Sequence, residues 1–406
     1  MTDTPPTILV IVGITGDLST RKLLPAIEQM AASGMAPKQL AVLGITRRNV
    51  SLDEVLGRLP EGSHDFLRSN VHMHQMDLEK IEDYQRLSTR LEEIDQAFGG
   101  GAQRLFYLSV PPQISQPIVG LLGESGLSQG NAKLLLEKPF GVDLASAEEF
   151  IAQTKRYFAE DQIYRIDHYV AKHMVSELLD FRSREVANSA QWNKDAISRI
   201  EIVATEQIGI EGRAAFYEQT GALRDIVQSH LLQLTALTLM HMPKDNTMHD
   251  VSARRLAALH SLHLPEGPVR QSVVRGQYAG YREETKNPHT TVETFVRLNL
   301  LSDDPLWQGV PICLVTGKAL EQKATEIRIT RLQASQLIFR DQPGQLPDPY
   351  AQVLLNAIIS KHALFTSSKE VLETWRILAP IQHTWSMSAQ DLQLYEPGNA
   401  GPTSGQ

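Results

Sequence analysis

The stretch ILVIVGITGDLSTRKLLPAIEQM, residues 8–30, decides the fold of the first half of the chain. Residues 8–12 are apolar and mostly β-branched, which predicts a buried strand, and residues 19–30 have a helical pattern. The turn between them contains Gly13 and Gly16, which would let the backbone approach a pyrophosphate at the helix N-terminus. The two-glycine pattern alone is weak, and a tight turn without a ligand is the alternative.

Outward from this stretch, short apolar runs alternate with longer helical patterns as far as residue 165. The runs LAVLG, VHMHQM, RLFYLSV, AKLLLEK and QIYRI predict strands, and segments 80–97 and 143–158 predict helices between them. Such alternation is typical of βαβ units on a parallel sheet. We therefore expect an α/β fold in which residues 1–165 form a Rossmann-like, doubly wound dinucleotide-binding domain.

The pattern changes after residue 165. Helical patterns at 168–182, 215–242 and 248–262 precede strands at 273–280, 290–300, 310–316, 325–331 and 336–340, and helices near 348–360 and 367–382 close the chain. Consecutive strands without intervening helices indicate an antiparallel sheet. Residues 166–406 are thus predicted to form an α+β domain with a large antiparallel sheet, which serves substrate binding and oligomerisation.

The composition is that of a globular, cytoplasmic protein. Its 406 residues include 39 Lys and Arg against 47 Asp and Glu, a net charge of −8, without the basic block that a nucleic-acid partner requires. A single cysteine, Cys313, excludes an intramolecular disulfide and favours a reducing compartment. The apolar run at 8–12 is too short for a signal peptide or a membrane span, so no membrane partner is expected.

The second predicted strand is followed by Arg47 and Arg48, where a site for NAD usually has an acidic residue for the ribose. A guanidinium at this position suits a 2′-phosphate, which favours NADP as the cofactor and leaves NAD as the alternative. On spacing alone, two solvated loop arginines are an equal interpretation.

The predicted strand at 132–138 delivers Lys138 and Pro139 to the edge at which open α/β sheets bind ligands. A lysine there can hydrogen-bond a substrate hydroxyl, and a cis Lys–Pro peptide bond would aim it. A surface loop with a turn proline is the alternative.

The segment RIDHYVAKH, residues 165–173, is dense in polar side chains. If it is helical, His168 and Lys172 lie four residues apart on one face beside Tyr169, which is a good clamp for a phosphate dianion. The two histidines and the carboxylate do not have the spacing of a zinc site and lack a clear third ligand, so no metal is expected.

His230 lies at the start of a long apolar helical pattern, where a buried core histidine is the more common interpretation. Oxidation of an alcohol by hydride transfer needs a base, however, and a histidine oriented by a carboxylate serves near neutral pH. On a regular helix Asp225 and His230 would point about 140° apart, which makes Asp167 the better orienting carboxylate.

Taken together, these stretches resemble the glucose-6-phosphate dehydrogenase family. The resemblance is carried by GITGDLSTRKLLPA at 13–26, LFYLSVPP at 105–112, LLLEKPFG at 134–141, DQIYRIDHYVAKHMV at 161–175, EGRAAFYEQTGALRDIVQSHLLQ at 211–233, GVPICLVTGKAL at 309–320 and PDPYAQVLL at 347–355. Motifs in this order over nearly the whole chain are far more specific than any one of them.

The resemblance implies oxidation of glucose 6-phosphate, or a close sugar phosphate, at C1 to a lactone, with hydride passing to NADP. It implies that His230 is the general base and Asp167 its partner. It implies that His168, Tyr169 and Lys172 bind the phosphate, and that Lys138, Glu206, Asp225, Lys318 and Lys323 hold the sugar. For the cofactor it implies Gly13, Thr15, Gly16, Asp17, Leu18 and Lys22, with Arg47 at the 2′-phosphate and Pro139 as a cis proline.

The chain also departs from the family pattern. Ala171, His173 and Ser229 stand where the family usually has Gly, Glu and Asn, and the chain is short between Arg328 and Pro347. The resemblance implies a homo-oligomer, a dimer or a tetramer, but the short sheet leaves that assembly open, together with any second, structural NADP site.

Two other functions remain open. The glucose–fructose oxidoreductase family also combines a Rossmann domain with a similar lysine and a later histidine, but acts on unphosphorylated or nucleotide-linked sugars. The phosphate clamp of His168 and Lys172 argues against it. A non-catalytic relative that binds sugar phosphate would be expected to lose the base or its carboxylate, yet His230 and Asp167 are both present.

Overall fold

A computed structural model describes residues 4–62, 64–186, 192–242, 250–333, 335–342 and 348–403. The chain divides into two compact units. The first comprises Met1–Phe140, Glu148–Ala171 and Leu346–Ser368, and the second comprises Gly141–Ala147, Lys172–Gln345 and Lys369–Gln406. None of the described helices is long and apolar enough to span a membrane.

The described strands and helices have the following bounds. The strands are β1 (Thr7–Val12), β2 (Leu40–Thr46), β3 (Val71–Gln75), β4 (Gln103–Leu108), β5 (Ala132–Leu136), β6 (Ile163–Ile166), β7 (Ile197–Thr205), β8 (Leu262–His263), β9 (Val273–Tyr278), β10 (Phe295–Ser302), β11 (Ile312–Gly317), β12 (Ala324–Arg331), β13 (Gln336–Arg340), β14 (Phe365–Thr366) and β15 (Leu392–Tyr395). The α-helices are Leu24–Ala32, Leu52–Leu56, Asp65–Asn70, Ile81–Ala97, Pro112–Glu124, Leu144–Lys155, His173–Val186, Ala214–Ala222, Leu232–Leu239, Val251–His260, Val269–Ser272, Tyr281–Thr285, Pro349–Ile358 and Ser368–Met387. Two π-helices, Ser19–Leu23 and Leu223–Leu231, and one 3₁₀ turn, Glu160–Gln162, complete the set.

The sheet of the first unit has the strand order β14-β6-β5-β4-β1-β2-β3. Strands β1 to β6 are parallel in the order 3-2-1-4-5-6, which is the Rossmann arrangement and confirms the predicted doubly wound sheet. All six residues of β1 are buried, as expected for a central strand with both faces covered. The short β14, which the sequence analysis did not predict, adds an antiparallel edge to β6.

A segment from late in the chain completes the first unit. The helix Pro349–Ile358 buries Val353 and Leu354 in the same apolar core as Leu24 and Ile27. Its last turn also satisfies two buried polar side chains of the sheet: Gln103 Nε2 and Lys133 Nζ donate to the Ile358 carbonyl at 2.9 and 3.1 Å. The first unit therefore depends on residues that follow most of the second unit in sequence.

The main sheet of the second unit has the order β13-β12-β7-β11-β10-β9-β15. Most neighbours are antiparallel, as predicted, but β7 pairs with β11 and β9 pairs with β15 in parallel. Neither β7 nor β15 was predicted. In β7, Arg199 and Glu201, which pair at 2.8 Å, alternate with the buried Ile200 and Ile202. This alternation is a strand pattern that was overlooked in the sequence.

Three predicted helices differ from those observed. The helix expected at 19–30 consists of the π-helix Ser19–Leu23 and the α-helix Leu24–Ala32. The helix expected at 168–182 begins only at His173, because residues 168–171 form a turn. The helix expected at 215–242 consists of the α-helix Ala214–Ala222, the π-helix Leu223–Leu231 and the α-helix Leu232–Leu239.

Candidate active site

The turn after β1 has the close backbone approach that a dinucleotide site requires. Gly13 has φ 90°, and a Cβ atom there would lie 2.4 Å from the Ser109 carbonyl oxygen. The Gly16 N–H donates to the Gly13 carbonyl at 2.9 Å, which closes the turn. The first π-helix, Ser19–Leu23, follows directly, so this turn brings the strand to a helix N-terminus.

Beside this turn lies a groove of about 960 Å³ within the first unit. It is lined by four residues of the predicted cofactor set, namely Thr15, Asp17, Leu18 and Lys22. Arg21, Arg58 and Tyr350 also line it, and the sequence analysis missed all three as site residues. Arg21 could have been predicted, because it lies four residues after Asp17 and forms an ion pair with it at 3.5 Å. No sequence motif indicates Arg58.

Arg47 follows the last residue of β2 and is exposed. Strand β2 is the neighbour of β1, so this position adjoins the strand that carries the glycine turn. The next residue, Arg48, donates its backbone N–H to Thr46 Oγ1 at 3.2 Å. This hydrogen bond stabilises the turn that follows β2. The role of Arg47 in binding the 2′-phosphate remains a prediction.

The loop after β5 begins with a half-buried acid, Glu137. Glu137 accepts a hydrogen bond from the Tyr107 hydroxyl, and burial raises the pKa of its carboxyl to about 7. The next peptide bond, Lys138–Pro139, is cis, as the sequence analysis anticipated. Lys138 and Pro139 were predicted as site residues, but Glu137 was not, although it directly follows five buried strand residues.

Asp167 is buried at the end of β6 and shapes the turn that follows. Its carboxylate accepts the Tyr169 N–H at 3.0 Å, and its carbonyl accepts the Val170 N–H at 3.1 Å. Because these bonds favour a turn over a helix, the predicted helical spacing of His168 and Lys172 is wrong. The His168 ring stacks on Tyr350, with centroids 5.8 Å apart.

Lys172 precedes the helix His173–Val186 and forms an ion pair with Asp341, which follows β13. Asp341 lies between Arg328 and Pro347, and no sequence motif indicated it. His173 Nδ1 lies 3.3 Å from a carboxylate oxygen of Glu177, one turn along the helix, so an acid offsets the positive potential that a protonated His173 would add.

Glu206 and Lys318 are brought together in the second unit. They directly follow β7 and β11, which are parallel with Thr205 opposite Gly317, so both side chains leave the same edge of the sheet. They form an ion pair, and Lys318 Nζ also lies 5.5 Å from the centroid of the Tyr217 ring. Lys323, in contrast, is exposed in the loop before β12.

The second π-helix, Leu223–Leu231, carries both Asp225 and His230, and His230 is only 1% exposed. In a π-helix the backbone hydrogen bond joins residues five apart, so each turn holds more than the 3.6 residues of an α-helix. Asp225 and His230 are therefore separated by a smaller angle about the axis than in an α-helix. The separation of about 140° expected for a regular α-helix does not apply to Leu223–Leu231.

Two family models together match nearly the whole chain. The model described as "Glucose-6-phosphate dehydrogenase, NAD binding domain" matches residues 10–177, and "Glucose-6-phosphate dehydrogenase, C-terminal domain" matches residues 179–346 and 333–406. The glucose-6-phosphate 1-dehydrogenase of Chlamydia muridarum is 31% identical, over 98% of this chain and 94% of its own length. That of Bacillus subtilis is 28% identical, over 98% of this chain and 95% of its own length.

Solved structures agree with these matches. A glucose-6-phosphate dehydrogenase in complex with its substrate glucose-6-phosphate has a TM-score of 0.91 and 25% identity, covering 99% of this chain and 97% of that one. Glucose-6-phosphate 1-dehydrogenase from Mycobacterium avium has a TM-score of 0.84 and 30% identity, covering 98% and 96%. The predicted fold class is confirmed by these similarities.

Proposed function

This chain belongs to the glucose-6-phosphate dehydrogenase family, and we propose that it oxidises glucose 6-phosphate at C1 to 6-phosphogluconolactone with transfer of hydride to NADP. This reaction is the first oxidative step of the pentose phosphate pathway. The observation that carries the proposal is the π-helix of the second unit, which holds the buried His230 and, five residues before it, the carboxylate of Asp225. A histidine at this position can serve as the base for an alcohol.

In this reaction His230 takes the proton of the C1 hydroxyl while the C1 hydride leaves. A histidine suits this role because its pKa lies close to neutral pH. We assign Asp167 to orient the imidazole and to stabilise its protonated form, as a carboxylate does in other histidine bases. Asp225 then remains to hold a sugar hydroxyl.

The first unit has the features that a dinucleotide cofactor needs. At Gly13 a Cβ atom would fill the space against Ser109, so the bare backbone of this turn is suited to hold a pyrophosphate. Lys22 and Arg21 add positive charge to the groove, and Arg47 would bind the 2′-phosphate that distinguishes NADP from NAD. When bound, the cofactor supplies the nicotinamide ring that accepts the hydride.

The substrate is held at its two ends. His168, Tyr169 and Lys172 would bind the phosphate, with Lys172 exchanging its ion pair with Asp341 for one with the phosphate. The ion pair of Glu206 and Lys318 offers one acceptor and one donor group to the sugar hydroxyls, with Lys138, Asp225 and Lys323 as the remaining contacts.

The test is reduction of NADP and of NAD by the purified protein, with glucose 6-phosphate, mannose 6-phosphate, galactose 6-phosphate and free glucose offered separately. We expect turnover with glucose 6-phosphate and a preference for NADP. Turnover on free glucose at a similar rate would overturn the assigned substrate, and binding of glucose 6-phosphate without any turnover would overturn the assigned reaction.

The variant His230→Asn tests the base, because asparagine keeps much of the side-chain volume and removes the proton acceptor. We expect kcat to fall by about 10³-fold or more with little change in the Kd of glucose 6-phosphate. His260→Asn, at an exposed histidine of the same unit, is the matched control and should leave kcat unchanged. Near-normal turnover of His230→Asn would contradict the assignment.

A further inference from the structure

A buried carboxylate adjoins the start of the π-helix that carries His230. Glu293 lies two residues before β10 and is 6% exposed. Its side-chain Oε1 accepts the Leu223 N–H at 2.9 Å, and its backbone carbonyl accepts the Ala222 N–H at 3.0 Å. Leu223 is the first residue of the π-helix, so Glu293 binds two consecutive N–H groups at the point where the helix begins.

The backbone at this point is built to admit the carboxylate. Gly221 has φ 60° and ψ −179°, a conformation outside the range of other residues, and it interrupts the preceding helix. A Cβ atom at Gly221 would lie 2.4 Å from Glu293 Oε1. The glycine therefore both makes the kink and leaves the space that the carboxylate occupies.

Two arginines near Glu293 are bonded to other groups. Arg224 Nε donates to the Val142 carbonyl at 3.0 Å, and Arg275 Nε donates to Asp391 at 2.8 Å. Burial raises the pKa of the Glu293 carboxyl, and the hydrogen bond from Leu223 N–H acts in the opposite direction. The described contacts of this acid are thus with the helix backbone, at the end where the helix dipole favours negative charge.

The start of this helix matters because it fixes the direction of the side chains along it. π-Helices are rare and usually no longer than a single turn, so a nine-residue π-helix needs contacts that hold it in that form. If Leu223–Leu231 relaxed to an α-helix, His230 would point about 140° away from Asp225. Such a change would separate the proposed base from the substrate.

We propose that Glu293 is a positioning residue for the reaction: it anchors the start of the π-helix and thereby fixes the direction of His230 relative to Asp225. The effect on catalysis rests on the proposed function, since it requires His230 to be the base. The anchoring of the helix by Glu293 does not depend on that function, and it is measured separately by hydrogen exchange of residues 223–231.

The variant Glu293→Met keeps the side-chain length and removes the acceptor, whereas Glu293→Gln retains one acceptor oxygen for Leu223 N–H. Glu218→Met is the matched control: Glu218 accepts hydrogen bonds at 2.7 Å from Tyr281 and Thr290 in the same unit, but not from the π-helix. Each variant is assayed well below its own melting temperature, so that loss of global stability does not lower the activity.

For Glu293→Met we expect kcat to fall about 30-fold or more, since small misplacement of a reacting group costs up to about 100-fold. The Kd of NADP should stay within about twofold, because Glu293 belongs to the second unit and the glycine turn to the first. Glu293→Gln should recover kcat to within about fivefold of the unaltered protein, because one hydrogen bond is worth about 1 kcal/mol. Hydrogen exchange of residues 223–231 should become faster in Glu293→Met and stay unchanged in Glu218→Met.

The proposal is overturned if Glu293→Met keeps kcat within about threefold, or if Glu218→Met loses as much activity as Glu293→Met at matched stability. If Glu293→Met does not fold, Glu293→Asp, which withdraws the carboxylate by one methylene, is judged by the same two measurements. His230→Asn is measured in parallel. Normal turnover of that variant rejects the proposed base, whereas unchanged exchange of residues 223–231 in the Glu293 variants rejects the anchor alone.

Discussion

Replacing Glu137 by glutamine should change the pH dependence of stability in the first unit. Burial raises the pKa of this carboxyl from 4.5 to about 7. Between these two values the unfolded chain has already released the proton that the folded chain still holds. The contribution of Glu137 to stability is therefore greatest below pH 4.5 and is lost as the pH rises through about 7. Glutamine cannot ionise, keeps an acceptor for the Tyr107 hydroxyl and removes this loss.

The size of the effect follows from the two pKa values. A pKa difference of about 2.5 corresponds to about 3.4 kcal/mol in total, of which about 2.5 kcal/mol develops between pH 5 and pH 8. Glu137 keeps some solvent exposure, and the solvent reduces the effect of burial on its charged form, so we halve this figure to about 1.3 kcal/mol. The free energy of unfolding of Glu137→Gln, relative to the unaltered protein, should rise by this amount from pH 5 to pH 8.

The assay is urea unfolding at several pH values, followed by far-UV circular dichroism and by tryptophan fluorescence. All four tryptophans, residues 192, 307, 375 and 385, lie in the second unit, so the fluorescence reports on that unit. If the units unfold separately, the circular dichroism and the fluorescence show different transitions. Glu148→Gln, at an exposed position of the first unit, is the control. The reasoning is refuted if the difference between Glu137→Gln and the unaltered protein is the same at pH 5 and pH 8.

Three further predictions concern single side chains. Arg47→Ala should raise the KM of NADP about 10- to 100-fold and leave that of NAD nearly unchanged, and an equal rise for both would contradict the assigned 2′-phosphate contact. Asp341→Asn should lower the KM of glucose 6-phosphate about threefold or more, because it removes a carboxylate that competes with the substrate phosphate for Lys172. A higher KM would refute this competition. Glu370→Gln should reduce the free energy of unfolding by about 3 kcal/mol, because the fully buried Arg255 loses its ionic partner. A reduction of less than about 1 kcal/mol by calorimetry would contradict this prediction.

The first sheet could be predicted because its signals are local. The strand at 8–12, the glycine turn and the alternation of strands and helices each lie within a few tens of residues. The charged residues Glu206 and Lys318 were found through the family motifs. Their pairing has a simple physical origin, because both follow strands that turn out to be parallel neighbours.

Other features depend on structure that local periodicity does not record. Over nine residues the apolar pattern of a π-helix differs little from that of an α-helix, so the π-helical form of Leu223–Leu231 was not predicted. Asp341 and Tyr350 reach their partners Lys172 and His168 from more than 150 residues away in sequence. Long-range contacts of this kind leave no periodic signal in the sequence.

The return of residues 346–368 to the first unit has a consequence for synthesis on the ribosome. Chains emerge from the N-terminus, and domains generally fold as they are completed. The helix that covers Leu24 and Ile27 is made after most of the second unit, and so is the Ile358 carbonyl to which Gln103 and Lys133 donate. The sheet of the first unit therefore keeps part of its apolar surface uncovered until translation has passed about residue 360. A nonsense mutation anywhere before that position removes residues from both units.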